Sequence, residues 1–477
     1  MRKALDIWHN MSAPAKASIA FLVSTILLKG IVFLSTPIFT RIMSEYDMGV
    51  VGTYQSWRGI FETVAILSMT SAGVFNVGMS KYRDRRETYM SNMVAMCMAL
   101  SVVAGSLLWF LYDELYIFLQ LPKSLIILMA LYCFITPAQT FWISKQRYEY
   151  KYKAAFLVTV LMSLFGQIVA IVLVYMNESN LGEIRLWGTA LVEMPIGAFF
   201  AFLLLKRGKS VFDREIWKET LIFAIPLIPH YLSSVVLTAS DRIMISMLDS
   251  VDAAGIYTVV YGTAAIVSII WGAIQGSLTP HIYDKLDVDN CDGISSLVEK
   301  LIVGYGLLCI FVTLFSPEIM LILGPSSYQI GIYAMPPITG AIFISSLYNI
   351  FSMIEFYHRK SVFITIASII SAIVNIVLNY LLIPHFGFIA AGYTTLLSYI
   401  VLAMMHYINM KKIEKRPIFN EKKIFILETV ILMVILLPIV VYDYPVVRYL
   451  FALIIAVMIF RNRNIFLDLL IKKKTVN

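Results

Sequence analysis

Apolar stretches of about twenty residues follow one another along the whole chain, separated by short polar gaps. That is the length an α-helix needs to cross roughly 30 Å of hydrocarbon. The pattern predicts about fourteen spans, at 17–40, 50–77, 89–112, 124–143, 155–176, 186–205, 219–247, 253–279, 298–323, 332–356, 362–383, 388–410, 424–442 and 446–461. The longest polar gaps hold only about twenty residues, so no separate soluble domain is expected. The fold class is therefore an all-α integral membrane protein.

Near residue 221 the pattern starts again. Arg41-Ile42-Met43 is matched by Arg242-Ile243-Met244, and twelve residues before each arginine stands a basic or titratable side chain, Lys29 and His230. Asp47-Met48-Gly49 corresponds to Asp252-Ala253-Ala254-Gly255, each opening a further apolar helix. Such a repeat predicts two pseudo-symmetric six-helix lobes, residues 1–210 and 211–415, with 416–477 adding two C-terminal helices and a tail. Six spans return the chain to the same side, so the copies are parallel, and parallel repeats usually bind substrate between them. Pro37 in span 1, and Pro226 and Pro229 in span 7, mark interrupted helices, which tend to line cavities.

Composition agrees. Hydrophobic residues make up 59% of the chain and charged residues 14%, with a mean hydropathy of +0.80, against about 45–50% and 25% in soluble domains. The net charge of +8 could point to nucleic acid, but 31 of the 38 Lys and Arg fall in the termini and in alternate gaps. That asymmetry is the positive-inside pattern. It predicts a multi-pass protein of the cytoplasmic (inner) membrane with both termini cytoplasmic and no nucleic-acid partner. Cys97, Cys133 and Cys309 lie in apolar runs and Cys291 in a polar loop, which suggests no disulfide framework. No A-x-A cleavage site follows Arg2, Lys3 and Lys16, so the first helix is expected to be retained.

Charges inside the spans are the candidates for chemistry, because each costs roughly 2.5–3.5 kcal/mol at a helix centre. Lys29 is mid-span 1, Arg58 and Glu62 share a face of span 2, Glu193 is mid-span 6, and His230 stands in the interrupted part of span 7. Lys29 and Arg58 could offer positive charge to an anionic group such as a pyrophosphate. Alternatively they pair with buried acids, Glu62 being the natural partner of Arg58. Glu62, Glu193 and His230 are candidates for cavity lining or ion coupling, His230 because imidazole changes charge near neutral pH. Asp241-Arg242 reads as a structural pair at a helix end. Glu355 and Glu428 fall near the inner face, where snorkelling would explain them.

Several chemistries are excluded. Arg207-Gly208-Lys209-Ser210 looks like the tail of a phosphate-binding loop, but Leu203 stands where that motif needs glycine. The six histidines show no metal-ligand spacing, and no external loop is large enough for the catalytic groups of a glycan polymerase or ligase. Neither a catalytic nor a metal site is expected, and the protein is not read as an enzyme.

Asp241-Arg242-Ile243-Met244-Ile245, Ala254-Gly255-Ile256-Tyr257, Pro37-Ile38-Phe39-Thr40-Arg41 and the stretch from Val374 through Asn375, Asn379, Gly387 and Gly392 to Thr395 together resemble the Wzx-type polysaccharide flippases. These belong to the multidrug/oligosaccharidyl-lipid/polysaccharide superfamily. The resemblance implies two lobes around a cavity open alternately to either side. Its cargo would be an undecaprenyl-pyrophosphate-linked oligosaccharide, an O-antigen or other surface-polysaccharide unit, moved through a cationic cavity that Lys29 and Arg58 fit. It also implies contact with membrane lipids, a polymerase and a chain-length regulator as candidate partners, and no cofactor beyond a proton or sodium gradient. Fourteen spans also resemble the lipid II flippases. A drug antiporter should have an acidic cavity instead.

Overall fold

The computed structural model describes residues 13–461. The N-terminal Arg2-Lys3 and the Lys-rich C-terminal tail, which bear on the orientation of the termini, lie outside them. The described residues form helices with no strand. Among the described residues, twelve helical stretches are long and apolar enough to cross a membrane. Two of the fourteen expected spans are not among them. Span 2 is broken and carries Arg58 and Glu62, and the last apolar helix is short, Pro445–Val457.

The chain divides into two compact units, Met1–Thr258 and Val259–Asn477. In the first, α1 (Ala13–Ile42) packs along α7 (Tyr152–Tyr175), which packs on α8 (Leu181–Gly208). Ser35 Oγ donates to Gln167 Oε1 across the α1–α7 seam at 2.9 Å. Ser44 and Asp47 cap α2 (Glu45–Ala65) reciprocally, satisfying two N-terminal N–H groups. The expected span 50–77 then stops at Ala65 and resumes as α3 (Ala72–Lys81). The break is a Schellman end: Ser68 N donates to Thr63 O at 3.0 Å and Leu67 N to Val64 O at 3.3 Å. Leu67 takes the left-handed φ of 53° that such an end usually gives to glycine.

Helices α4 (Arg86–Phe110), α6 (Lys123–Tyr148) and α8 pack on one another, with α5 (Tyr112–Leu119) between α4 and α6 in the chain. Phe75 and Phe141 stack at 5.8 Å in their core. The interruption expected in span 7 is present. α9 (Arg214–Ala224) passes through a tight 3-10 turn at Ile225–Leu227 into α10 (Ile228–Leu248). Pro229 stands in the first turn of α10, where its missing N–H costs nothing. α10 packs along α2, and the division between units falls inside α11 (Val251–Asp287).

The second unit is centred on α14 (Met335–Tyr357), a helix buried on nearly every side, packed against α16 (Phe388–Ile413), which packs on α15 (Ser361–Phe386). Of the appended helices, α17 (Glu421–Leu436) packs on α14 directly and on α12 (Ile294–Leu314), and α18 (Pro445–Arg461) meets α12 and, through Arg448, α13 (Ser316–Leu323). Lys423 pairs with Glu299 at 2.6 Å at one end of α12. At the other, Arg448 grips Glu318 with both terminal nitrogens and donates to Leu314 O at 2.6 Å.

Candidate functional site

Within the first unit the interior charges meet where α2, α6 and α8 face one another. The Arg58 guanidinium lies 3.5 Å from the centre of the Tyr132 ring, a close cation–π contact. Glu62, on the same helix, and Glu193, on α8, are near enough to act on its charge, as are the hydroxyls of Tyr54 and Tyr132. Yet among the described residues no carboxylate comes within ion-pairing distance of Arg58. The expected neutralisation by Glu62 is therefore not a direct contact. The guanidinium is thus held on one face by an aromatic ring, with no bidentate carboxylate on its planar fork of donors.

Lys29 stands on α1 and makes no contact with Arg58. Its helix packs on α7, where Ser35 meets Gln167, and Ala20, Ser24, Ser35 and Phe39 are buried. Val23, Leu27, Leu34 and Ile38 form an exposed apolar stripe on one side, while Thr25, Lys29 and Thr36 share another face. An exposed lysine on a polar stripe fits a wet cavity wall, since lipid would penalise it.

His230 opens α10, half-buried, with its ring 5.3 Å from that of Tyr231. Val235, farther along that helix, packs beside Gly59. Asp241 and Arg242 do not mark a helix end, because α10 runs on for about two turns to Leu248. Buried Asp241 accepts from Tyr257 Oη at 2.7 Å. Arg242 Nη1 donates to Thr238 O at 3.3 Å, matching Arg41 Nη1 on Pro37 O at 2.8 Å. The two repeat arginines thus bond back to the same relative carbonyl.

A family profile described as polysaccharide biosynthesis protein matches residues 15–284, more than half of the chain. The chain belongs to that family. Two curated relatives are similar to it. One is Lsg locus putative protein 1 of Haemophilus influenzae, 23% identical over 280 residues, 57% of this chain and 66% of the relative. The other is the probable low-salt glycan biosynthesis flippase Agl15 of Haloferax volcanii, 26% identical over 156 residues, 32% of this chain and 33% of the relative. The chain thus spans just under two thirds of one curated relative and a third of the other. Among solved structures, the lipid II flippase MurJ in an inward closed conformation matches with a TM-score of 0.64, at 15% identity over 94% of this chain and 99% of that one. An inward-facing multidrug resistance MATE transporter of the MOP superfamily matches with 0.59, at 14% identity over 82% and 96%. These likenesses show a MOP-type transporter fold.

The second unit of this family member holds polar clusters that sequence patterning did not locate. Glu355 and Glu428 were expected to snorkel, but both are buried. Glu355 is bound by His406 Nδ1 at 2.6 Å and Asn409 Nδ2 at 2.7 Å. Glu428 has neither oxygen hydrogen-bonded among the described residues. The stretch that carried the resemblance becomes a buried seam between α15 and α16. In it Asn375 Nδ2 donates to Thr395 Oγ1 at 3.2 Å, Asn379 Nδ2 to Asn375 Oδ1 at 3.2 Å, and Thr394 to Asn379 Oδ1. The Asn-x-x-x-Asn spacing, which puts both amides on one helix face, was the available signal.

Proposed function

We propose that this protein is a flippase that moves an undecaprenyl-pyrophosphate-linked oligosaccharide, a repeat unit of a surface polysaccharide, across the cytoplasmic membrane by alternating access. The observation that carries this reading is Arg58, an interior cation stacked on Tyr132 with no carboxylate within ion-pairing distance. A pyrophosphate and several sugars cannot cross hydrocarbon unaided. A polar cavity must shelter them while the prenyl chain stays in lipid, and Arg58 and Lys29 would hold the diphosphate. Glu62, Glu193 and His230 would line the path or couple transport to a proton or sodium gradient. No bond is made or broken. Membership of a polysaccharide biosynthesis family and a flippase-named relative support this reading.

The test is mass spectrometry of prenyl-pyrophosphate-linked sugars in cells with and without the protein. Build-up of a single repeat unit on loss of the protein is the expected result. Build-up of lipid II would assign the cargo to peptidoglycan synthesis, a reading that the likeness to MurJ keeps as the alternative. No change in any lipid-linked sugar would overturn both.

A further inference from the structure

The end of the first unit away from the Lys/Arg-rich loops carries a half-open cavity of about 450 Å³. It is formed where the start of α2, the end of α5 and the start of α8 come together. Its walls are fixed by side chains already committed to structure. Asp47 accepts from Gly182 N at 2.9 Å, Ser124 Oγ donates to Glu183, and Ser246 Oγ donates to Gln120 Oε1 at 2.8 Å. These bonds tie several helices together around the opening.

Four other lining groups are uncommitted. The hydroxyls of Tyr46 and Tyr116, the carboxylate of Glu178 and the side-chain amide of Asn180 have no hydrogen-bond partner among the described residues, and both tyrosine rings are half-exposed. A second cavity of about 450 Å³ shares Asn180 and Glu183 and extends the groove to Trp187. No lysine or arginine lines either one.

We propose that this groove is a carbohydrate site for neutral or amine-bearing sugars. Aromatic rings offer flat apolar faces to the C–H faces of pyranose rings, and tyrosine adds a polar tip. Carboxylate and amide groups satisfy sugar hydroxyls, which are donors and acceptors at once. The acidic lining disfavours phosphate and uronic acids and favours amino sugars. The site rests on the flippase reading for its biological ligand: it would hold the glycan while the cationic side chains hold the diphosphate.

The full-length protein in nanodiscs is probed by saturation-transfer NMR with three trisaccharides: tri-N-acetylchitotriose, its deacetylated triamine and trigalacturonate. Transfer to the first two, stronger for the triamine, and none to trigalacturonate is the expected result. Y46A/Y116A should weaken binding at least tenfold, Y46F/Y116F should keep most of it, and E178Q should reduce the preference for the triamine, Asp47 and Glu183 retaining part of it. No transfer to any probe, or equal transfer in wild type and Y46A/Y116A, would overturn the site. If Y46A/Y116A melts early, E178K replaces it. That variant should move preference toward trigalacturonate, and an unmoved preference overturns the proposal. Sugar binding without build-up of lipid-linked sugars on loss of the protein would leave the site standing and remove the flippase reading. Build-up without binding would do the reverse.

Discussion

Gly49 and Gly255, the matching glycines of the two repeat copies, meet where the start of α2 crosses the start of α11. A β-carbon on Gly49 would lie 1.8 Å from Val251 O, and one on Gly255 would lie 2.0 Å from Glu45 O. Val251 and Glu45 each stand four residues before the opposite glycine, so the contact is reciprocal. One turn on, a β-carbon on Gly52 would lie 2.0 Å from Thr258 Oγ1. The backbones can approach this closely only because these side chains are absent.

Gly49→Ala and Gly255→Ala should therefore force the two helix starts apart. Overpacking against backbone, which cannot rotate away, costs about 1–3 kcal/mol. Spin labels at 45 and 251 should report a longer distance in either variant, and transport should fall several-fold. An unchanged distance would mean that the crossing tolerates a side chain.

Arg58→Ala should cut transport by about ten- to a hundredfold, the scale of one lost charged hydrogen-bonding group, with normal membrane levels. Arg58→Lys should restore only part, because an ammonium lacks the planar fork. Lys29→Ala should also reduce transport. Loss of the protein from the membrane, measured by quantitative blotting, would indicate a structural role instead.

Arg448→Ala should loosen the appended helices. It leaves Glu318 with only the Tyr449 hydroxyl and the Leu314 carbonyl without the guanidinium donor; because Glu318 is partly exposed, the loss should cost about 1–2 kcal/mol. The detergent-solubilised variant should melt at a lower temperature, and Arg448→Lys should recover only part. An unaltered melting temperature would show that the Arg448 bonds add nothing to the hold on α17 and α18.

At the polar end of α16, Arg416 hydrogen-bonds Glu414 at 2.7 Å and Asp289 at 2.6 Å, and His358 meets Glu414 at 3.0 Å. The Arg416 guanidinium holds the Glu414 carboxyl down to about 2. Because this pKa is depressed on folding, its stabilisation is fully present above the unfolded value, about 4.3. It is lost as pH falls toward 2. Protection factors of the amides in residues 414–420, corrected for the intrinsic pH dependence of exchange, should hold at pH 5 and fall progressively below about pH 4, and Glu414→Gln should flatten that dependence. A wild-type loop equally protected across this range would contradict the clip.

Much of the fold was legible because membrane insertion writes itself into sequence. Long apolar runs are required to span hydrocarbon and proline can interrupt helices locally, so the break at Pro226 was visible, whereas Pro37, expected to mark another, lies inside the unbroken α1. The break at Leu67 was not, since it uses no glycine or proline and depends on bonds from Ser68 and Leu67 back to Thr63 and Val64. Arg58, Glu62 and Glu193 could be singled out because charge is costly in lipid. That Tyr132 would be the group against Arg58 could not be seen, because it comes from another helix.

The sequence by itself determined the class of the protein, its helical stretches and the cost of its interior charges, because these depend on residues close together in the chain. Tertiary structure alone decided which groups meet. It placed Gly49 against Val251, left Arg58 without a close carboxylate, and buried Glu355 with His406 and Asn409 where snorkelling was expected. Each of these depends on the rotation of one helix about its axis relative to its neighbours, which packing between distant segments sets and hydropathy along the chain does not encode.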